Sequence, residues 1–168
     1  MGANVEESPA TELVIERVFD VPRRLVFSVW SDPLHLVHWW GPREGDRDYS
    51  MPVCEMDFRP GGKYRFTIRS PSGQDYVQRG EYREIVVPAL IVFTFAWDPQ
   101  GGQRTNEMLV RVTFAEIGHE KTRMRFVQTA FATAGQRDGH RSGWNECFDR
   151  LAEWLAEWLA AHDSSLAR

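Results

Sequence analysis

Residues 138 to 161 read DGHRSGWNECFDRLAEWLAEWLAA. At about 100° per residue, Trp144, Cys147, Phe148, Leu151, Leu155, Trp158 and Leu159 gather into one arc of roughly 120°, opposite Glu146, Asp149, Glu153 and Glu157. The pattern predicts an amphipathic helix from Asp138 to Ala161, about 36 Å long at about 1.5 Å per residue. A stripe so long and bulky must be covered, and a curved sheet offers a concave face large enough to do it.

The chain ahead of this helix supplies such a sheet. From Lys63 to Arg69, Tyr64, Phe66 and Ile68 alternate with Lys63, Arg65, Thr67 and Arg69, so one face is apolar and the other solvated. Pro71-Ser72-Gly73 reads as a hairpin turn. The next strand sets Tyr76, Gln78, Gly80 and Tyr82 against Arg79, Glu81 and Arg83 and ends by Pro88; after it Ile91, Phe93, Phe95 and Trp97 share a face. The sixth strand, Glu107 to Ala115, sets Met108, Val110, Val112 and Phe114 against Arg111 and Thr113; the seventh sets Met124, Phe126 and Gln128 against Arg123 and Arg125. Short turns between neighbours predict an antiparallel meander rather than parallel βαβ units. At the N-terminal side, Glu12 to Phe19 carries the β-branched and apolar residues of a first strand. Leu25, Val26, Val29 and Trp30 then fall at helical spacing after Pro22, and Ser31 or Asp32 can cap a second short helix, Pro33 to Trp39, ended by Gly41-Pro42.

Composition narrows the function classes. With 168 residues and no internal repeat or low-complexity linker, the chain suits one domain, expected over residues 11–162 between tails at 1–10 and 163–168. A net charge of −4 argues against nucleic acid, which needs clustered Lys and Arg. The longest apolar run, Ala89 to Trp97, falls short of the ~18 residues that cross a bilayer, and the acidic N-terminus lacks an apolar core, so a cytoplasmic protein without membrane insertion is expected. The two cysteines, Cys54 and Cys147, show no metal or redox spacing and read as small buried apolar side chains.

Several motifs also fall in a familiar order. Arg17-Val18-Phe19-Asp20-Val21-Pro22 leads into Val26-Phe27-Ser28-Val29-Trp30-Ser31-Asp32-Pro33; Trp39-Trp40-Gly41-Pro42, Asp57-Phe58-Arg59-Pro60-Gly61-Gly62 and Gly143-Trp144 follow. Together they resemble the family homologous to the activator of the heat-shock-protein-90 ATPase, over roughly Leu13 to Leu159, and through it the START and pollen-allergen-like superfamily. The resemblance implies an α+β helix-grip fold: a curved seven-stranded antiparallel sheet wrapped around a long C-terminal helix, with two short helices after strand 1. It also implies a cavity for a lipid-like or polyketide-like molecule, or a chaperone as partner. Fold and function travel separately, so the container is implied more firmly than its contents.

On this reading the aromatic inner face is the expected working surface. Its ligand-binding candidates are Trp39, Trp40, Tyr64, Phe66, Tyr76, Gln78, Tyr82, Phe93, Phe95, Trp97, Met108, Val110, Val112, Phe126, Gln128, Trp144 and Phe148. Apolar walls spotted with glutamines and tyrosine hydroxyls describe a ligand site, because an unpaired polar group on a buried face is costly. The same rings equally suit a filled core packed on Trp144, Phe148 and Leu151, and both readings stay open. Two adjacent tryptophans at a helix end cannot both point into one core, so one of Trp39 and Trp40 is expected at the mouth. Asp57 to Gly62 reads as a tight connection, with Asp57 bonding its backbone amides, rather than as a phosphate loop. His35 and His38 lack a third ligand, so neither a metal nor another cofactor is expected. If the domain resembles the cyclases of this fold, His38, Asp57, Tyr76 and Tyr82 are the proton-transfer candidates. Trp154, at the edge of the helix stripe, leaves a homodimer open. Three functions thus remain: an apolar-ligand binder without catalysis, a chaperone-interaction domain, and a small-molecule cyclase or lyase.

Overall fold

A computed structural model of the chain describes residues 11–98 and 106–163. The tail expected at 1–10 lies outside the described residues, as does that expected at 163–168 except for Asp163, which ends the last helix. The described elements are β1 (Glu12–Phe19), α1 (Arg23–Ser31), α2 (Pro33–Leu36), β2 (Arg43–Glu44), β3 (Arg47–Asp48), β4 (Ser50–Met56), β5 (Lys63–Arg69), β6 (Asp75–Val86), β7 (Leu90–Trp97), β8 (Met108–Gly118), β9 (Lys121–Thr129) and α3 (Ala134–Asp163). The seven long strands form one antiparallel sheet in the order β1-β9-β8-β7-β6-β5-β4, and β2 and β3 pair separately. This is the helix-grip arrangement: a meander from β4 to β9, with β1 closing alongside β9 and α3 laid across the concave side.

Alternation does what it should. In β8, Met108, Val110, Val112 and Phe114 are buried, and in β9 Thr122, Met124, Phe126 and Gln128 are. Register shifts in β4 between Ser50 and Val53, in β6 between Tyr82 and Glu84, and in β8 between Glu116 and Gly118 bend the sheet around the helix. β4 is the strand that the sequence pattern does not locate. Pro52, which cannot donate to a ladder, sits inside the first of these bulges on a strand paired only to β5, where proline is tolerated.

The helices differ from expectation at their ends. Pro22 stands just before α1 rather than within it, and Asp32 caps α2, accepting from Leu34 N at 2.9 Å. α2 stops at Leu36 instead of Trp39. α3 begins at Ala134 rather than Asp138, so its 30 residues extend for about 45 Å. The early start comes from a capping arrangement at Thr133 and Gln136: Thr133 Oγ1 accepts from Gln136 N at 3.0 Å, and Gln136 Oε1 accepts from Ala132 N at 2.8 Å.

The concave face is filled, chiefly by α1. Trp30 lies at its centre, with ring centroids 4.8 Å from Trp39, 5.8 Å from Trp40 and 6.1 Å from Phe148. Both Trp39 and Trp40 are buried in one core, contrary to the expectation that two adjacent tryptophans could not be. Because α2 ends early, their side chains diverge: Trp39 Nε1 donates to Val29 O under α1 at 2.9 Å, while Trp40 Nε1 reaches the sheet and donates to Gln78 Oε1 at 2.7 Å. Trp154 is half-buried rather than free: its Nε1 donates to His35 Nδ1 at 3.1 Å and His38 stacks on it at 3.8 Å. Cys147 is buried as read, but Cys54 is only half so.

One charged side chain had no sequence signal. Arg150, 5% exposed, donates to Gly41 O at 2.7 Å and His38 O at 3.2 Å, and its Nε lies 3.6 Å from Asp48. It fastens the Trp-Trp-Gly-Pro corner and the β2–β3 hairpin onto α3. Arg17 of β1 similarly bonds Asn145 and pairs with Asp149 at 3.0 Å.

A candidate binding cleft beside a glycine-stepped helix

Inside the grip there is almost no space. A void of about 10 Å³ remains among Trp30, Trp40, Tyr64, Phe66, Tyr82 and their neighbours, about the least that one water needs. Of the two readings left open, the described residues show the filled core, because Trp30 and the tryptophan corner occupy the space an enclosed cavity would need. Tyr64 donates to Thr94 O at 2.6 Å, a satisfied core tyrosine whose hydroxyl burial pushes its pKa well up. Trp39, Phe93, Met108, Val110, Val112, Phe126 and Phe148 are sealed in the same core.

Open space appears instead at one end of the helix. A cleft of about 380 Å³ lies between the N-terminal half of α3 and the sheet, within the range of small-molecule sites. Ile68, Gln78, Phe95 and Trp97 form its sheet side, and Trp40, Gly41 and Pro42 its corner. Gly135, Gly139 and Gly143 step along its helix side at intervals of one turn, together with Gln136, His140, Trp144 and Cys147. An ideal Cβ built on Gly139 or Gly143 meets nothing within 4 Å. These glycines therefore admit no close neighbour; what they leave is room.

Five of the sequence-derived candidates, Trp40, Gln78, Phe95, Trp97 and Trp144, come together on this cleft. Gln128 stands behind it and organises it. Its Oε1 accepts from Trp144 Nε1 at 2.8 Å and from the His140 ring at 3.2 Å, while Trp97 Nε1 donates to His140 Nε2 at 3.0 Å. Since Trp97 can only donate, His140 must accept at Nε2 and carry its proton on Nδ1. Burial lowers the His140 pKa to about 4, so the imidazole is neutral at physiological pH. Burial likewise pushes the Cys147 thiol up to about 12, leaving no thiolate there.

The remaining candidates are placed elsewhere. Tyr76, read as inward, is 38% exposed at the start of β6, where it leans on Tyr49 and Trp97. The four proton-transfer candidates do not gather: His38 stacks on Trp154, Asp57 pairs with Arg59 at 2.8 Å in solvent, Tyr76 is exposed, and Tyr82 is buried against Phe58 and Tyr64. None lines the cleft. Asp57 also serves differently from its reading: its backbone oxygen, not its carboxylate, holds the turn, and a Cβ on Gly62 would stand 1.9 Å from that oxygen. Among the described residues no three His, Cys, Asp or Glu side chains come together, and no helix is long and apolar enough to cross a membrane. Sequence reasoning missed the glycine ladder and His140, although Gly135, Gly139 and Gly143 at i, i+4 and i+8 were the available signal.

The family model for the Activator of Hsp90 ATPase homolog 1-like protein matches residues 20–156. The chain belongs to this family. Solved structures of similar fold include the AHSA1 protein of Silicibacter pomeroyi, 25% identical with a TM-score of 0.78, covering 86% of this chain and 97% of that one. A Chromobacterium violaceum protein is 27% identical with a TM-score of 0.73, over 84% and 95% of the two chains. A Nitrosomonas europaea protein at 23% identity and a TM-score of 0.75, over 91% and 99%, shares the fold. No functionally curated protein matches. This AHSA1-like domain thus has a container whose outline is shared within its family, while its cleft is defined by its own side chains.

Proposed function

We propose that this AHSA1-like domain binds an apolar or aromatic small molecule in the cleft between β5–β7 and the N-terminal half of α3, holding or delivering it without catalysis. The observation that carries this reading is the pair Gly139 and Gly143. Glycine inside a helix costs about 1 kcal/mol relative to alanine, and here no packing constraint accounts for the cost. Space kept open at the expense of stability, walled by Phe95, Trp97, Trp144 and Trp40, is what a binding site requires. The scattering of His38, Asp57, Tyr76 and Tyr82 away from the cleft favours binding over turnover.

The test is a fluorescence titration with the neutral probe N-phenyl-1-naphthylamine. Saturable binding by the wild-type protein, abolished in a folded Gly139→Leu variant whose new side chain enters the cleft, is the expected result. No saturable binding, or binding indifferent to Gly139→Leu, overturns the reading. The family description supports a second reading, interaction with a chaperone ATPase; an unchanged Hsp90 ATPase rate on adding the domain would remove it.

A further inference from the structure

We infer that the cleft selects a neutral, planar aromatic molecule carrying a carbonyl-type hydrogen-bond acceptor, and that the side-chain amide of Gln78 is the group that reads this acceptor. The inference rests on the binding reading above and deepens it. It follows from accounting for each polar side chain on the cleft.

Trp40, Trp97 and Trp144 each have one N–H, and each is committed: to Gln78 Oε1, to His140 Nε2 and to Gln128 Oε1. Both His140 nitrogens are taken. Gln136 bonds Ala132 N through its oxygen and Asn106 through its nitrogen. The Cys147 sulfur accepts from Gly41 N at 3.3 Å, leaving only a weakly donating thiol. Gln136 keeps one of its two N–H donors spare, whereas Gln78 leaves its whole NH₂ unused. Because Trp40 can only donate, the Gln78 atom 2.7 Å from it must be the oxygen, which fixes the orientation of the amide. Its NH₂ then has two donors with no partner among the described residues. Nor is that nitrogen sealed away, for the fully buried orphan side-chain atoms among the described residues are Trp30 Nε1 and Arg150 Nε. Gln78 is 5% exposed and lines the cleft, so its accessible donor faces the space a ligand would fill.

Shape and charge set the rest of the class. The helix side is stepped with glycines and the opposite walls are aromatic rings, which suits a flat ring system. No Asp, Glu, Lys or Arg lines the cleft, so a charged ligand would lose its hydration without gaining a counter-charge.

The matched probes 9-fluorenone and fluorene, identical in shape but for the ketone, test this by calorimetric titration, with fluorene-9-carboxylate as the charged control. Wild-type protein should bind fluorenone about tenfold more tightly than fluorene, the worth of one net hydrogen bond, and bind the carboxylate more weakly than either. In Gln78→Met the preference should fall to parity. A second readout needs no variant: at saturation the ¹⁵N-labelled Gln78 side-chain amide protons should move further downfield with fluorenone than with fluorene, and equal shifts would overturn the inference. Equal binding of fluorenone and fluorene, both blocked by Gly139→Leu, would overturn the acceptor inference and leave the site standing. Tighter binding of the carboxylate would overturn the neutral class, and failure of all three to bind would overturn both the inference and the site.

Discussion

Replacing Gly139 and Gly143 together with alanine should make the protein more stable and its cleft smaller. In most helices buried against a sheet, a glycine marks a place where a neighbour comes too close for a methyl group, and alanine there destabilises. Here the built Cβ atoms meet nothing within 4 Å, so that penalty is missing. What remains is the helix propensity difference, about 0.8–1.0 kcal/mol per site, or about 2 kcal/mol for the pair. For a domain of this size each kcal/mol raises Tm by about 2–4 °C, so calorimetry should show a rise of about 4–8 °C. The same two methyl groups project into the cleft, so affinity for N-phenyl-1-naphthylamine should fall while stability rises. A double variant that melts lower than wild type would refute the reasoning, because it would mean that the glycines are needed by the fold. A variant that melts higher but binds as before would separate the glycines from the site.

Other outcomes follow from single contacts. Arg150→Met strands the buried carbonyl of Gly41 and the part-buried one of His38 and should cost about 2–3 kcal/mol in urea unfolding; a loss under about 1 kcal/mol would show that the clamp is dispensable. His140 has its pKa lowered from 6.5 to about 4, so the unfolded chain binds a proton that the folded chain refuses between those values. Its contribution is complete above about pH 6.5 and is lost as pH falls toward 4, by at most about 3 kcal/mol; an NMR titration showing His140 protonating near 6.5 would contradict this. His38→Ala and Asp57→Ala should each change probe affinity less than twofold, since neither residue touches the cleft; for Asp57, loss of an exposed ion pair should leave stability nearly unchanged.

How far the chain could be read depended on what each feature needed. Strands β5 to β9 and the stripe on α3 were legible because period two and period 3.6 are local, and burial then falls where the pattern puts it. β4 was not, because Pro52 and a bulge break its alternation and its edge position could only be known from the sheet. The start of α3 was legible in principle from Thr133 and Gln136, a cap lying well ahead of both the expected start at Asp138 and Trp144, the first apolar position of the stripe. The filling of the grip was not legible at all. Whether the candidate rings enclose a ligand or one another depends on where Trp30 goes, and α1 packs that side chain into the sheet from outside any strand pattern. Consequently the named rings divide: most are sealed in the core, while Trp40, Phe95, Trp97 and Trp144 border the cleft beside the glycine ladder.

The division of labour along α3 has an implication for how such a protein can change. Beyond Cys147 the helix is fixed in place by Leu151, Leu155, the Arg150 clamp and the Trp154 stack. Before it, three positions one turn apart face a cleft and support nothing. At Gly139 and Gly143 a methyl group meets nothing within 4 Å, so the cleft can be narrowed there without a clash in the anchored half. A recognition surface written at three consecutive turns of one helix can be redrawn by a handful of substitutions, each of which begins with a gain in helix stability rather than a loss.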